Sequence, residues 1–247
     1  MASGEWFEDE EFWTAYAPTM FDEERWAEVT AVVDAIEALV RPSPGAAVLD
    51  ACCGPGRHSL EFAARGYEVT GVDITDTYLE AARESAVGLA NARFLRVDIR
   101  ELDMPAAFDL AINLYTSFGY FRDREEDVEA LRRIRAALRE GGSLVLETTG
   151  KETAVRDFTK GESFRRAGWD VRTEFAVVGA WEGLSNRWIA SKDGSTVDKS
   201  FVLRLYAGTE LRSALLGAGF SEVRIFGDLD GSPYDQDAKS LVALARA

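Results

Sequence analysis

The chain has 247 residues, of which 28 are Lys or Arg and 43 are Asp or Glu, and its formal net charge is −15. Nucleic-acid binding depends mainly on basic side chains that neutralise phosphates, so this charge disfavours a DNA or RNA partner. No uncharged apolar run reaches the roughly 18 residues typical of a membrane span. The two cysteines, Cys52 and Cys53, are adjacent, and no secretory signal is visible, so we expect a cytoplasmic chain without disulfides. One histidine beside two adjacent cysteines gives no ordinary metal-ligand spacing, so no metal site is predicted.

The N-terminal part of the chain is predicted to be helical. Aromatic and acidic residues fill positions 1–23, and residues 22–39 carry apolar side chains at helical spacing until the proline-rich stretch 41–45. Residues 1–40 are therefore interpreted as a helical lid over a ligand site. A helix that merely packs on the core is the alternative.

Residues 46–73 have the pattern of a strand, a glycine-rich turn, a helix and a second strand. The first apolar run ends at Asp50, the turn contains Gly54 and Gly56, and the second run ends at Asp73, nineteen residues after Gly54. In nucleotide-binding folds an acid about 20 residues beyond such a turn accepts hydrogen bonds from ribose hydroxyls. The pattern therefore predicts a site for a nucleoside cofactor.

Two residues indicate which nucleoside is bound. The dinucleotide-binding fingerprint has Gly or Ala as its third small residue, which here would be position 59, but this chain has Ser59. The carboxylate of Asp50 would repel a pyrophosphate over the turn, but it suits a cofactor with a cationic end and no phosphate, such as S-adenosyl-L-methionine (SAM). A NAD(P)-dependent oxidoreductase and a non-catalytic SAM-binding partner or sensor remain alternatives.

Strands and helices alternate through the first two thirds of the chain, which predicts a right-handed, mostly parallel α/β sheet in one domain, residues 1–247. Strands are predicted near 46–50, 67–73, 92–97, 108–114 and 142–149, with helices near 57–65, 76–88 and 124–139. Residues from about 165 to 206 contain a hairpin signal at 192–195 and form a small antiparallel insertion. A helix at 209–216 and strands at 223–226 and 241–244 follow.

These motifs resemble the class I SAM-dependent methyltransferases, especially those that act on small natural-product or metabolite acceptors. Residues 48–56, VLDACCGPG, are similar to the first motif of that family, and the ends of the next three strands are similar at 72–74, 96–99 and 108–115. The resemblance implies a Rossmann-like fold of seven strands, mostly parallel, with helices on both faces and an antiparallel final strand. It also implies that the insertion roofs the substrate pocket.

The resemblance further implies which residues contact SAM and its product S-adenosyl-L-homocysteine (SAH). Asp50, Ala51 and Gly54 would bind the methionine ammonium, while Gly56 keeps the turn free of bulk. The remaining contacts would come from Asp73 at the ribose, Ile74, Asp98 and Ile99 at the adenine, and Leu114 near the methyl group. Two aromatic residues of the lid, Trp13 and Tyr16, are candidates to cover the sulfonium through cation–π contacts.

The predicted reaction is methyl transfer by in-line displacement to an oxygen or nitrogen of a small molecule. Positioning and water exclusion supply most of the acceleration in such a reaction, so no general base is required by the pattern. The pocket candidates, predicted by location alone, are His58, Tyr115, Tyr120, Trp181, Arg187 and Arg204. The sequence does not indicate the oligomeric state.

Overall fold

A computed structural model describes residues 5–247. Its helices, in chain order, are α1 (Glu10–Met20), α2 (Glu23–Ala27), α3 (Val29–Val40), α4 (Arg57–Ala64), α5 (Asp76–Ser85), α6 (Arg124–Ala137), α7 (Lys151–Arg156) and α8 (Gly208–Gly217). The helix predicted at 22–39 is two helices, α2 and α3, and α7 was not predicted. None of the helices in this part of the chain combines the length and apolar character needed to cross a membrane.

The strands, in chain order, are β1 (Ala47–Ala51), β2 (Glu68–Asp73), β3 (Ala92–Arg96), β4 (Phe108–Asn113), β5 (Leu138–Thr148), β6 (Ser163–Arg166), β7 (Trp169–Val178), β8 (Gly183–Lys192), β9 (Ser195–Arg204), β10 (Glu222–Phe226) and β11 (Leu241–Arg246). Seven of them form one sheet in the order β10-β11-β5-β4-β1-β2-β3. Strands β1 to β5 are parallel, and β11 runs antiparallel to both β5 and β10. The predicted fold class is confirmed.

Helices cover both faces of this sheet and bury its apolar side chains. On one face Leu131 and Ile134 of α6 pack with Leu211 of α8, and all three are 0–2% exposed. On the other face Ile36 of α3 and Phe62 of α4 are fully buried against β1 and β4. Because each buried side chain of this size contributes roughly 1.5–3 kcal/mol, these two layers hold the strand ends in fixed positions.

The insertion forms a separate antiparallel sheet in the order β6-β7-β8-β9. Its β8–β9 turn is a two-residue hairpin in which Asp193 has φ 51° and Gly194 has φ 81°. Positive φ at both positions is the type I′ geometry that twists with the strands, as the sequence at 192–195 predicts. The sheet begins at Ser163, two residues before the predicted boundary, and ends at Arg204.

Helix α1 lies between the insertion and the main sheet. The Tyr16 hydroxyl donates to the carbonyl of Trp188 on β8 at 2.6 Å and reaches the carbonyl of Val197 on β9 at 3.1 Å. On the opposite side the Tyr78 hydroxyl of α5 donates to the carbonyl of Trp13 at 2.9 Å. The helix is thus attached to both sheets through long-range hydrogen bonds.

Candidate active site

The carboxyl ends of β1, β2 and β4 border one cavity at the centre of the sheet. The chain leaves β1 toward β2 on one side and returns through β4 on the other, which makes this the switch point where α/β sheets bind ligands. The cavity has a volume of about 160 Å³ and is open to solvent at its mouth. Eleven of the predicted site residues line it: Trp13, Asp50, Gly54, His58, Asp73, Ile74, Asp98, Ile99, Leu114, Tyr115 and Tyr120.

The glycine-rich turn is held by the second strand. The Gly54 amide donates to Asp73 Oδ2 at 2.8 Å, and the Cys53 amide donates to the carbonyl of Val72 at 2.9 Å. Gly54 has φ 53°, a conformation that glycine adopts without strain. A Cβ on Gly54 would stand 3.5 Å from the Phe21 ring, an ordinary van der Waals distance, so the positive φ and not a lack of space favours glycine here.

Gly56 and Ala51 lie behind the cavity wall rather than on it. A Cβ on Gly56 would stand 2.9 Å from the Phe94 ring and 3.0 Å from Ala82 Cβ, so this glycine lets α4 pack closely against its neighbours. The carbonyl of Ala51 accepts a hydrogen bond from Asn113 Nδ2 at 2.9 Å. The close packing agrees with the expectation that Gly56 keeps the turn free of bulk, but neither Gly56 nor Ala51 lines the cavity.

Asp50 is a buried acid at the floor of the cavity. It is 3% exposed, and its Oδ2 accepts from Ser59 Oγ at 2.6 Å. Burial raises the pKa of Asp50 to about 6, and the nearby Asp73 carboxylate acts in the same direction. It forms no ion pair with a basic side chain of residues 5–247. A bound cation at this position would stabilise its charged form.

Asp73 and Asp98 stand at the ends of the next two strands. Both oxygens of Asp73 accept backbone hydrogen bonds, from Gly54 N at 2.8 Å and Thr75 N at 2.9 Å. Burial raises the pKa of Asp73, although these bonds oppose the shift. Each carboxylate oxygen keeps a second lone pair, so Asp73 can still accept from hydroxyl groups in the cavity.

Asp98 has a partner that the sequence interpretation missed. Arg100 binds its carboxylate with two nitrogens, at 2.6 Å and 3.0 Å, and also donates to Glu126 at 2.6 Å. Although burial acts against it, the Arg100 guanidinium holds the pKa of Asp98 below its usual range. The same guanidinium lies 4.6 Å over the Phe121 ring, another wall residue. The Asp-x-Arg spacing at the end of a strand was the sequence signal that could have indicated the Asp98–Arg100 pair.

Tyr115 and its successor mark the end of β4. Tyr115 has φ 61° and Thr116 has φ 59°, and two consecutive non-glycine residues in the left-handed region store strain. The Tyr115 amide donates to Glu147 Oε2 at 2.8 Å. The guanidinium groups of Arg25 and Arg57 lie 5.0 Å and 4.9 Å from its ring centroid. Neither arginine was assigned a role from the sequence.

His58 lines the cavity but is a weak base. It is 8% exposed, and burial, together with the adjacent Arg57 charge, lowers its pKa to about 3. The imidazole is therefore neutral at physiological pH. It can donate or accept a hydrogen bond there, but it has little basicity with which to remove a proton.

Besides Gly56 and Ala51, four predicted contacts lie outside the cavity, and Tyr16 is the first of them. It is fully buried between α1 and the insertion, and its hydroxyl donates hydrogen bonds to the carbonyls of Trp188 and Val197. The expectation that Tyr16 covers a sulfonium is wrong because its position on the helix faces the second sheet. Trp13, three residues earlier, does line the cavity.

The other three lie on or near the insertion. Trp181 is in the β7–β8 connection and packs edge-on to Phe158, with ring centroids 5.3 Å apart. Arg187 is exposed and pairs with Asp198 at 2.6 Å and Glu174 at 3.1 Å. Their expected pocket roles are not supported, because strand alternation and turn geometry direct them to the surface of the second sheet.

Arg204 is part of a buried ion pair. Its Nε donates to Asp127 Oδ2 at 2.9 Å, and its Nη2 donates to the carbonyls of Phe121 at 3.2 Å and Arg122 at 2.7 Å. The Arg204 amide also donates to the carbonyl of Gly119 at 2.7 Å. Arg204 therefore acts on the cavity only indirectly, through the 119–122 wall that it holds.

The cover of the cavity comes from α1 and the residues beside it. Phe7, Trp13, Met20 and Phe21 line it, whereas no residue of 163–206 does. The insertion supports this cover from behind, since the Trp6 ring stacks on Phe201 at 4.4 Å. The expectation that the insertion roofs the pocket is corrected to this indirect arrangement. Of the predicted lid, residues 1–4 lie outside the described residues, and α3 is a core helix.

The sheet order, the switch-point cavity and its three strand-end acids are those expected of the class I SAM-dependent methyltransferase fold. Residues 48–142 match the sequence model of a family described as "Methyltransferase domain". The chain therefore contains a methyltransferase domain, and SAM is its cofactor. The buried, unpaired Asp50 fits the cationic end of that cofactor. The dehydrogenase alternative is not supported.

Solved structures and curated relatives agree with this assignment. The CcbJ methyltransferase from Streptomyces caelestis is 21% identical with a TM-score of 0.76, over 89% of this chain and 95% of that one. SAM-bound CalS10, an amino pentose methyltransferase from Micromonospora echinaspora involved in calicheamicin biosynthesis, is 25% identical with a TM-score of 0.70, over 96% and 97%.

Among curated proteins, the cypemycin N-terminal methyltransferase of a Streptomyces species is 25% identical over 217 residues, which is 83% of this chain and 84% of that protein. Several other curated relatives are matched over less than half of their own length.

Proposed function

We propose that this protein transfers the methyl group of SAM to an oxygen or nitrogen of a small-molecule acceptor, as one domain acting in the cytosol. The observation that carries the proposal is the buried Asp50 carboxylate, which has no basic partner among residues 5–247 and faces the cavity at the switch point. A carboxylate there stabilises the cationic end of SAM and disfavours a diphosphate. SAM supplies an electrophilic methyl group on a sulfonium that is already a good leaving group.

The cofactor contacts are assigned by position in the cavity. Asp50 and Gly54 are placed for the methionyl end, and Asp73 for the ribose hydroxyls. Ile74, Asp98 and Ile99 border the space for the adenine. Leu114 and Tyr115, at the end of β4, are the wall residues nearest the methyl-transfer end. Tyr115 has a left-handed φ of 61°, and its amide donates to Glu147 Oε2 at 2.8 Å, which holds the backbone at this point.

The protein's contribution to the reaction is positioning and water exclusion. An acceptor atom held in line behind a methyl carbon gains the effective concentration of an intramolecular reaction, worth about 7–11 kcal/mol in favourable cases. The aromatic cover from α1 excludes water from that line. His58 is neutral, with a pKa of about 3, so it orients groups by hydrogen bonding. An acceptor that reacts as a neutral amine needs no stronger base.

A small-molecule acceptor is supported by the cavity and by the relatives. The cavity wall carries aromatic residues, among them Phe7, Tyr120 and Phe121, rather than a basic stripe. The net charge of −15 opposes a nucleic-acid substrate. Relatives of known structure are named for an amino pentose or for natural-product methylation. The two free thiols are compatible with a reducing compartment.

Calorimetric titration tests the cofactor assignment, and a radiolabelled transfer assay tests the reaction. SAM and SAH should bind at micromolar levels, whereas NAD and NADP should not bind. The assay offers tritiated SAM with a panel of amino sugars, amines and phenols. Asp50→Asn should weaken SAM binding, and Asp103→Asn, an exposed acid outside the cavity, is the matched control. Binding of NAD in place of SAM, or SAM binding without transfer to any acceptor, would contradict the proposal.

A further inference from the structure

Arg57 is a buried arginine that forms no ion pair with an acid of residues 5–247. It is 4% exposed, begins α4 directly after the glycine-rich turn, and lines the cavity. Its Nη1 donates to the carbonyl of Arg25 at 2.6 Å. No carboxylate oxygen of residues 5–247 lies within 4.0 Å of its guanidinium nitrogens.

A guanidinium in this position needs more partners than it has. Arginine carries five N–H donors and stays protonated in proteins, so burial cannot discharge it. Burying an unpaired charge is costly, and the neighbouring Arg25 cation adds repulsion. The rings of Tyr115 and Phe21, at 4.9 Å and 5.5 Å, offset part of this cost by cation–π contact. They do not satisfy the remaining N–H groups.

The acids around Arg57 are engaged elsewhere. Glu28 pairs with Arg25 at 3.1 Å, Glu147 accepts from the Tyr115 amide, and Asp50 accepts from Ser59. The cavity thus presents one buried acid and one buried cation beside the glycine-rich turn. Among residues 5–247 neither forms an ion pair, although each charge favours the ionised form of the other. That pair of charges is complementary to a group that carries both signs, or to two ligands that carry one each.

We propose that Arg57 binds a carboxylate or phosphate oxygen pair in the cavity, an inference that rests on the proposed function. Guanidinium forms two parallel hydrogen bonds with two oxygens of such an anion, which suits its fork better than a single carbonyl. Two sources offer this chemistry. One is the α-carboxylate of SAM, next to the ammonium that Asp50 would bind, and the other is an acid group on the acceptor.

The first arm of the test compares SAM with decarboxylated SAM, which keeps the sulfonium and the amine. Affinities are measured by calorimetry for the parent, Arg57→Gln and Arg57→Lys. If the cofactor supplies the anion, Arg57→Gln weakens SAM binding roughly 10- to 100-fold and leaves decarboxylated SAM unchanged. The SAM affinity of Arg57→Lys should lie between those of the parent and Arg57→Gln, because lysine keeps the positive charge but cannot form two parallel hydrogen bonds.

The second arm uses the protein saturated with SAH and titrates benzoate and inorganic phosphate. If the acceptor supplies the anion, SAM affinity is the same in all variants. The SAH-bound parent then binds benzoate or phosphate, and Arg57→Gln loses that binding by at least tenfold. Arg83→Gln is the matched control, because Arg83 also donates to a backbone carbonyl, that of Phe94 at 3.0 Å, and does not line the cavity.

Equal SAM affinity in parent and Arg57→Gln, together with no benzoate or phosphate binding that depends on Arg57, would overturn the proposal. Thermal unfolding of each variant confirms that it is folded. If Arg57→Gln does not fold, the comparison of the parent with Arg57→Lys decides the test. Failure of the parent to bind SAM would instead refute the proposed function itself. The two failures are therefore distinguishable in the same experiment.

Discussion

The floor and the cover of the cavity are built in different ways. The floor comes from one stretch of chain, residues 50–121, in which each polar contact follows the end of a strand. The cover comes from α1, and its support comes from strands β8 and β9, more than 160 residues away. Floor residues are positioned by the sheet register, whereas cover residues are positioned by side-chain packing. The floor is therefore tied to the cofactor, and the cover is free to vary with the acceptor.

Arg204 lies on β9 of the second sheet but holds residues 119–122 of the cavity wall, and its substitution should have the largest effect. Arg204→Met leaves the fully buried Asp127 carboxylate without its cation, and we expect the free energy of unfolding to fall by about 3 kcal/mol at pH 8. Burial already raises the pKa of Asp127 to about 6, and loss of Arg204 raises it further. Protonation of Asp127 relieves the unpaired charge, so the loss should be smaller at pH 5. Chemical denaturation at both pH values measures it.

The double variant Arg204→Met/Asp127→Asn is the control for this mechanism. Asn keeps an acceptor for the Tyr206 hydroxyl, which donates to Asp127 at 2.7 Å, and it carries no charge. It should recover part of the stability at pH 8. A loss of equal size at pH 5 and pH 8 would show that the ion pair is not its cause.

Substitution of Asp73 tests the floor of the cavity without changing its cover. Asp73→Ala removes the predicted ribose acceptor and releases the amides of Gly54 and Thr75. SAM affinity should fall by roughly 2–3 kcal/mol, a change of about 30- to 150-fold. Calorimetry measures this, with Asp76→Ala as control, since Asp76 pairs with Arg96 and does not line the cavity. Parental affinity in Asp73→Ala would remove the ribose assignment.

The pH dependence of SAH binding sharpens the assignment of Asp50. Only the ionised carboxylate attracts an ammonium, and its pKa is about 6 in the structure. SAH affinity should therefore rise about tenfold from pH 5 to pH 7 and level off above pH 7. His58, with a pKa of about 3, stays neutral over this range. Asp50→Asn should bind more weakly with a flat profile, and a parental slope in that variant would contradict the assignment.

Arg187 gives the smallest expected effect and serves as the counterpart of Arg204. Both arginines lie on the second sheet, but Arg187 pairs with acids on an exposed face. Exposed ion pairs contribute little to stability. Arg187→Ala should leave the thermal midpoint, SAM affinity and methyl transfer unchanged within error. A loss of methyl transfer in Arg187→Ala would show instead that this exposed face of the second sheet contacts the acceptor.

The strand-end acids were predictable because local pattern sets them. An apolar run fixes where a parallel strand stops, so Asp50, Asp73 and Asp98 could be placed at one edge from spacing alone. The function of Asp98 was only partly visible, because its pairing with Arg100 depends on the conformation of the turn after β3. The proposed role of Arg57 was not visible, since nothing in its motif shows that it forms no ion pair with the acids of residues 5–247.

The cover was less predictable because it depends on contacts between distant segments. Trp13 and Tyr16 are three residues apart on α1, about 60° around the helix axis, and both are large aromatics. One lines the cavity and the other is buried against the insertion, and only the position of the second sheet distinguishes them. Arg187 and Arg204 differ for the same reason, since their partners lie on different elements.

The double attachment of α1 has a consequence for engineering. The helix is tied to α5 through Tyr78 and to the insertion through Tyr16. A chimaera that exchanged residues 163–206 alone for the corresponding segment of another enzyme would strip the helix of its rear support. A functional transplant must therefore carry α1 and the second sheet together, as one unit grafted onto an unchanged cofactor scaffold.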